Sequence, residues 1–435
     1  LLGLALGIGA DGVVVLYGVV SLMGLYGALR VVSGSPRRAR APIAGALIAF
    51  TGFALLALCD STASRDSFEL SSLMVTATYY CATMIAVVLS VGLLRRALTP
   101  ARRGRRPVGA LTGIVLVAGV ATLSNPLFLL WATAPLTVVL VVWAAHRRDA
   151  RSLWGALALA AGSAAGYAGR IPLAAFIAND GWGYVDLSRT PASLQYYAEL
   201  VAQRWQLPGG VAAVLLGAAM FAVAVAASAR LRGAGERGAR LVAISGWALP
   251  LFVVAAAIVL GTHAARYLQP AAFAPMAALV TLPEAFRMPR LLVPARIAAA
   301  AAAVAIVVVA AASGIPALVA AAGRTDRDLA CVVSWVDRSG RVGGGQYWTV
   351  RLPKAQLSDP RLLVQVDDAL RPYDWLVNRT DAAPGAVSFL VTDAQSPPFA
   401  SAVQAALRTA TIVACGRYTI ADLGGHALAL GPPRS

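Results

Sequence analysis

The chain has 435 residues, 59% of them hydrophobic and only 13% charged, with a mean hydropathy of +0.71. A soluble domain carries about 25% charged residues, so this composition excludes an ordinary soluble globular protein. The net charge of +17 at first suggests nucleic acid, but most arginines lie in short segments between apolar runs, where they orient a membrane protein and form no groove for a polyanion.

Runs of about 20 apolar residues are long enough to cross a bilayer as helices, and ten such spans are expected. The first, Gly12 to Val32, ends at Arg37, Arg38 and Arg40, and the second, Pro42 to Leu58, ends at Cys59-Asp60. The segment Asp60 to Ser72 adds Asp66 and Glu69 with a single cation, Arg65. A third span, Leu73 to Leu94, runs into a dense arginine cluster from Arg95 to Arg106. The fourth, Val108 to Leu123, turns at Asn125-Pro126 into the fifth, Leu127 to Ala145. The sixth, Leu153 to about Tyr167, leads into the longest loop, Arg170 to Pro208, which holds Asp180, Trp182, Tyr184, Asp186, Tyr196, Tyr197, Glu199 and Arg204. The seventh is Gly209 to Ala229 and the eighth Leu241 to Gly261. A short polar break, Thr262-His263-Ala264-Ala265-Arg266-Tyr267, precedes the ninth, Leu268 to Leu282, and Ile297 to about Ala321 is the tenth.

Charge counted over alternate connections gives these spans a direction. One set holds 20 Arg and three acids, and the other five Arg and seven acids. By the positive-inside bias the first set is cytoplasmic. The Asp60 segment, the long aromatic loop, the Arg266 break and the C-terminal tail then all face outside. Basic residues are almost all Arg, with Lys354 the lone Lys, and Ala, Gly and Val dominate. That usage reads as a GC-rich bacterial genome, so the expected location is a bacterial plasma membrane. The chain starts at Leu1 inside an apolar stretch, which suggests a missing N-terminal part.

Residues 1–321 are thus read as a transmembrane domain and 322–435 as a small extracytoplasmic α/β domain. In the tail, Leu329, Val332, Val333 and Val336 recur at helical spacing. Leu362 to Val366 and Val387 to Val391 read as strands, Phe399 to Leu407 as a helix, and Thr411 to Ile420 as a further strand. Gly343-Gly344-Gly345 reads as a flexible loop. Cys331 and Cys415 either close the domain as a disulfide in an oxidising exterior or stay as two buried thiols, since connectivity is not written in sequence.

Polar chemistry gathers on the outer side. There is no phosphate-binding loop, no dinucleotide fingerprint and no metal-ligand spacing, and the three histidines are scattered. A transporter or lipid flippase requires polar residues near the membrane midplane, and the spans supply few. A non-catalytic envelope scaffold is the third reading. Arg266, Tyr267 and His263 in the break, with Asp66, Glu69, Asp180 and Trp182 in the other outer segments, suit a lipid-linked sugar. Arginine and tyrosine would hold its phosphate and aromatics would stack on the sugar. Each also has a plain reading: Trp182 as an interfacial anchor, Asp66 and Glu69 as solvated acids, and Arg266 snorkelling to headgroups.

The string Arg266-Tyr267-Leu268-Gln269-Pro270 opening a late span, with an α/β tail containing Gln346-Tyr347-Trp348 and Asp374 to Arg379, resembles the GT-C glycosyltransferases. These include the bacterial aminoarabinose and protein-mannosyltransferase relatives. The resemblance implies a polyprenyl-phosphate-linked sugar as donor, membrane lipid as surroundings, an envelope acceptor of unknown identity and no nucleic acid. It also implies contact between Arg266 and the donor phosphate. The family's catalytic Asp lies in the first outer loop, which here is expected upstream of Leu1, so no catalytic residue is assigned. A divalent metal occurs in the family, but nothing in this sequence calls for one.

Overall fold

The computed structural model describes residues 9–34, 41–60, 68–76, 78–99, 107–147, 149–174, 185–233, 236–286, a few positions between 301 and 312, 326–373, 385–394, 396 and 398–432. Two compact units emerge, a larger one over Val14–Ala174 and Gly181–Ile315, and a smaller one made chiefly of Pro316–Ser435.

The larger unit is helical. Among the described residues, four helices are long and apolar enough to cross a membrane: Tyr80–Leu98, Leu129–His146, Gly210–Arg230 and Arg237–Val259. Shorter apolar helices cover Leu16–Val32, Ile43–Leu58 and Val108–Ser124. The chain therefore has the character of a membrane protein. Small residues let these helices approach closely. A Cβ on Gly166 would stand 2.2 Å from the Gly119 carbonyl oxygen, and one on Gly162 would stand 2.5 Å from that of Val115. These two glycines thus serve packing between the helices Val108–Ser124 and Ala150–Ala168.

In this larger unit two stretches differ from their sequence reading. The expected ninth span is no single helix. It consists of a 3-10 turn Ala265–Leu268, a helix Pro270–Ala278, a second 3-10 turn Leu279–Thr281 and a four-residue helix Leu282–Ala285. Pro275 removes an N–H from inside the helix Pro270–Ala278, while Pro270 and Pro283 stand in first turns, where proline starts a helix and does not continue a preceding one. The long aromatic loop contains a 17-residue helix, Thr190–Gln206, started by Pro191 in its first turn. Its buried face is Ser193, Tyr197, Leu200 and Arg204. The spacing is helical, but the face is too polar to register as an apolar stripe.

The smaller unit carries a five-stranded mixed sheet in the order β2-β1-β4-β6-β5. Its strands are β1 (Gly343–Gly345), β2 (Leu363–Gln365), β4 (Phe389–Asp393), β5 (Thr411–Cys415) and β6 (Tyr418–Asp422). β1 runs parallel to β2 and β4, while β6 is antiparallel to β4 and β5. A separate antiparallel pair joins β3 (Ala386–Val387) to β7 (Leu428–Ala429). The expected single strand from Thr411 is a hairpin turning at Gly416, whose φ is +62°.

Gly343 to Gly345 is an inner strand and not a flexible loop. A Cβ on Gly343 would stand 2.1 Å from the Phe389 ring, and one on Gly345 would stand 2.3 Å from Val350. Glycine is there because core side chains cover the strand. The helix Arg327–Ser339 packs Leu329, Val332 and Val336 into that core with Val350, Leu363, Phe389 and Ile420. Cys331 and Cys415 are joined by a disulfide, with Cα atoms 5.5 Å apart.

Candidate functional site

The polar break after the helix Arg237–Val259 is held in place by the helix Thr190–Gln206 and the turn before it. The Asp186 N–H donates to the Leu260 carbonyl at 3.0 Å. Thr190 Oγ1 donates to Val259 at 2.9 Å, and Ser193 Oγ donates to the Thr262 carbonyl at 2.6 Å. Tyr197 Oη and Thr262 Oγ1 share a 2.7 Å hydrogen bond. Gly261 adopts φ +69°, and a Cβ there would stand 2.0 Å from the Asp186 carbonyl oxygen. Only glycine meets both demands.

This crossing shapes a pocket of about 230 Å³ lined by Asp186, Arg189, Gly261, Thr262, His263, Ala264, Arg266 and Tyr267. Of the residues expected from sequence, Arg266, Tyr267 and His263 therefore share one wall. Arg266 Nε donates to Tyr80 Oη at 3.1 Å, and its guanidinium carbon stands 5.5 Å from the Tyr267 ring centroid. His263 Nδ1 donates to the Gly261 carbonyl at 3.1 Å, which fixes the orientation of the ring. The same ring stacks obliquely on Tyr196, centroids 5.3 Å apart.

Opposite charge is present but committed. Asp186 accepts from the Ser188 hydroxyl and N–H and pairs with Arg189 at 3.1 Å. The Ser188 hydrogen bonds hold its carboxyl below the usual carboxylate range. At neutral pH the lining thus carries two arginines against one carboxylate.

Beneath the pocket lies an aromatic support that sequence reading missed. Trp131 is fully buried and donates Nε1 to the Tyr267 carbonyl at 3.0 Å. It sits in a π-helical turn, Leu129–Thr133, a distortion often found near functional sites. Tyr80, Trp131 and Phe273 pack ring to ring at 5.9 Å steps, and Tyr267 meets Tyr80 at 6.4 Å. The available signal was a Trp inside an apolar run, because a buried indole N–H requires an acceptor.

Glu69 lies elsewhere. With Asp60 it clasps Arg204: Nη1 to Glu69 at 2.8 Å, Nη2 to Asp60 at 3.0 Å and Nη2 to the Cys59 carbonyl at 2.8 Å. The three side chains are 1%, 5% and 1% exposed for Glu69, Asp60 and Arg204. Burial pushes the Asp60 carboxyl up, opposed by hydrogen bonds from Ser71 and Ser72 and by Arg204. Glu69 and Asp60 are thus buried partners of a helix arginine, neither solvated nor lining the pocket. Asp66, Asp180 and Trp182 lie outside the described residues, as does Asp374 to Arg379. Among the described residues no three metal-ligating side chains converge.

Comparison with known protein families, characterised proteins and solved structures finds no match to this chain.

Proposed function

We propose that the chain is a GT-C-like membrane glycosyltransferase that moves a sugar from a polyprenyl-phosphate donor to a cell-envelope acceptor. The observation that carries this reading is the convergence of Arg266, Arg189, His263 and Tyr267 on one polar pocket at the end of a membrane-length helix. At about 230 Å³ it falls below the roughly 300–1,000 Å³ of sites for drug-sized ligands. That volume suits a phosphosugar headgroup whose hydrocarbon stays in the bilayer.

In this reading the acceptor hydroxyl attacks the anomeric carbon as the bond to the phosphate oxygen breaks. Negative charge grows on the leaving polyprenyl phosphate, and Arg266, fixed by Tyr80 and Tyr267, stabilises it. Tyr196 beside His263 offers an aromatic face near the pocket for the sugar. The base that takes the hydroxyl proton is not assigned to any described residue. The arginine asymmetry of the connections supports ten spans in a bacterial plasma membrane, with this pocket and the α/β tail on the outer side.

The test is reconstitution of the full-length protein in proteoliposomes with a labelled polyprenyl-phosphate sugar and an envelope-extract acceptor. Protein-dependent transfer of label supports the reading. Movement of the labelled lipid across the bilayer without transfer favours a flippase, and neither activity favours a scaffold.

A further inference from the structure

A second hollow lies at the opposite end of the helix Arg237–Val259, whose 23 residues rise about 35 Å. It is lined by Trp143, Asp149, Arg232, Gly233, Arg237 and Arg240. The helices Ala134–Arg147 and Gly210–Arg230 end here, and Ala150–Ala168 and Arg237–Val259 begin here. Three membrane-length segments therefore share this end. By length alone the hollow sits where apolar helix gives way to headgroups, the level at which Trp is enriched.

Its charge is unbalanced. Among the described lining residues three arginines face one carboxylate, and that carboxylate is already in use: Asp149 caps the following helix by accepting from the Arg151 N–H at 3.3 Å, accepts from the Ser152 hydroxyl at 2.9 Å and pairs with Arg237 at 3.5 Å. The nearby Glu236 is turned to the Gly233 N–H at 2.9 Å. Arg237 Nε is shielded from solvent and has no acceptor among the described residues. Arg240 stands over the Trp143 ring, 5.7 Å from its centroid, and Arg232 is exposed at the rim. The enclosed volume, about 10 Å³, admits one water-sized group. A ligand must therefore insert a single oxygen and leave its bulk outside.

We infer that this hollow binds the phosphate of an anionic phospholipid of the surrounding bilayer. One phosphate oxygen reaches Arg237, while Arg232 and Arg240 meet the others. A zwitterionic headgroup would bring its ammonium against three arginines, so the site favours a net negative lipid. The inference rests on this hollow and on helix length, independently of the sugar-transfer reading.

The experiment follows the thermal midpoint of the purified full chain in neutral detergent. It is titrated with short-chain phosphatidylglycerol, short-chain phosphatidylcholine or inorganic phosphate. Phosphatidylglycerol is expected to raise the midpoint saturably and the other two are not. Arg237→Gln is expected to weaken that effect at least about tenfold, the value of one charge-assisted hydrogen bond. Because Arg237 also pairs with Asp149, Arg232→Gln is the second variant, leaving that pair intact and weakening the effect several-fold. An equal rise with inorganic phosphate would reassign the site to a free anion and overturn the inference. So would an equal rise with phosphatidylcholine, or wild-type response in both variants.

Discussion

The clasp around Arg204 makes a quantitative prediction. One guanidinium, 1% exposed, meets two carboxylates that are themselves 1% and 5% exposed, so with all three ionised the cluster carries a surplus negative charge. Replacing Arg204 with Met takes the guanidinium away from both carboxylates in a dry site, while Asp60 keeps its Ser71 and Ser72 hydrogen bonds. Breaking a buried pair from one side costs about 3–5 kcal/mol, and here two acids lose their partner at once, so the upper half of that range is expected. Glu69→Gln removes the surplus charge instead. It keeps an acceptor oxygen for Arg204 Nη1 and leaves the Asp60 and Cys59 contacts in place, so the expected change is within about 1 kcal/mol. Chemical unfolding in detergent, followed by far-ultraviolet circular dichroism, measures both. A near-neutral Arg204→Met, or a Glu69→Gln as costly as Arg204→Met, would show that the guanidinium does not hold the two acids in place.

Three further outcomes are expected. Tyr80→Phe removes the 3.1 Å hydrogen bond to Arg266. It should weaken binding of a short-chain polyprenyl phosphate by roughly tenfold, the value of a hydrogen bond to a charged group, with little change in thermal midpoint. Isothermal titration against wild type checks both halves. Replacing Cys331 and Cys415 with Ser opens a bridge spanning 84 residues. The tail should lose about 4.5 kcal/mol by loop entropy, seen as faster limited proteolysis of the tail in the full chain. The Arg417 and Arg341 hydrogen bonds hold Asp326 and Asp422 below the usual carboxylate range. Their contribution is fully present above the unfolded value of about 3.9 and is lost as pH falls through the lower folded values. The urea midpoint of tail unfolding in the full chain should therefore be flat from neutral pH down to about pH 5 and decline below about pH 4. Arg341→Gln should flatten part of that decline.

Much of the helical architecture was legible because apolar length is a one-dimensional property. Val108 to Leu123 was read to within a residue of the helix Val108–Ser124, and Leu329, Val332 and Val336 marked the tail helix by spacing alone. The misreadings share a cause. Gly343 to Gly345 resembles a loop in composition, and only the Phe389 ring lying over it explains why a strand is made of glycine. The helix Thr190–Gln206 buries Ser, Tyr and Arg, so its inward face carries no hydrophobic signature. At the pocket, Arg266 stood out as a lone cation between apolar runs. Its supports did not. Tyr80 and Trp131 are hidden inside such runs, and Asp186 meets Leu260 across 74 residues of chain through a backbone hydrogen bond. Contacts made by main-chain atoms leave no mark on residue identity.

In the proposed reaction Arg266 holds the phosphate of a lipid-linked sugar. Its most direct test compares transfer of labelled sugar from polyprenyl phosphate by wild type, Arg266→Lys and Arg266→Ala, each reconstituted at full length. Removing one preorganised donor to a developing oxyanion typically costs about 10²–10³ in rate. Arg266→Ala should therefore lose at least about a hundredfold in kcat/KM, with Arg266→Lys falling between. Transfer by Arg266→Ala at the wild-type rate would show that Arg266 does not hold the phosphate.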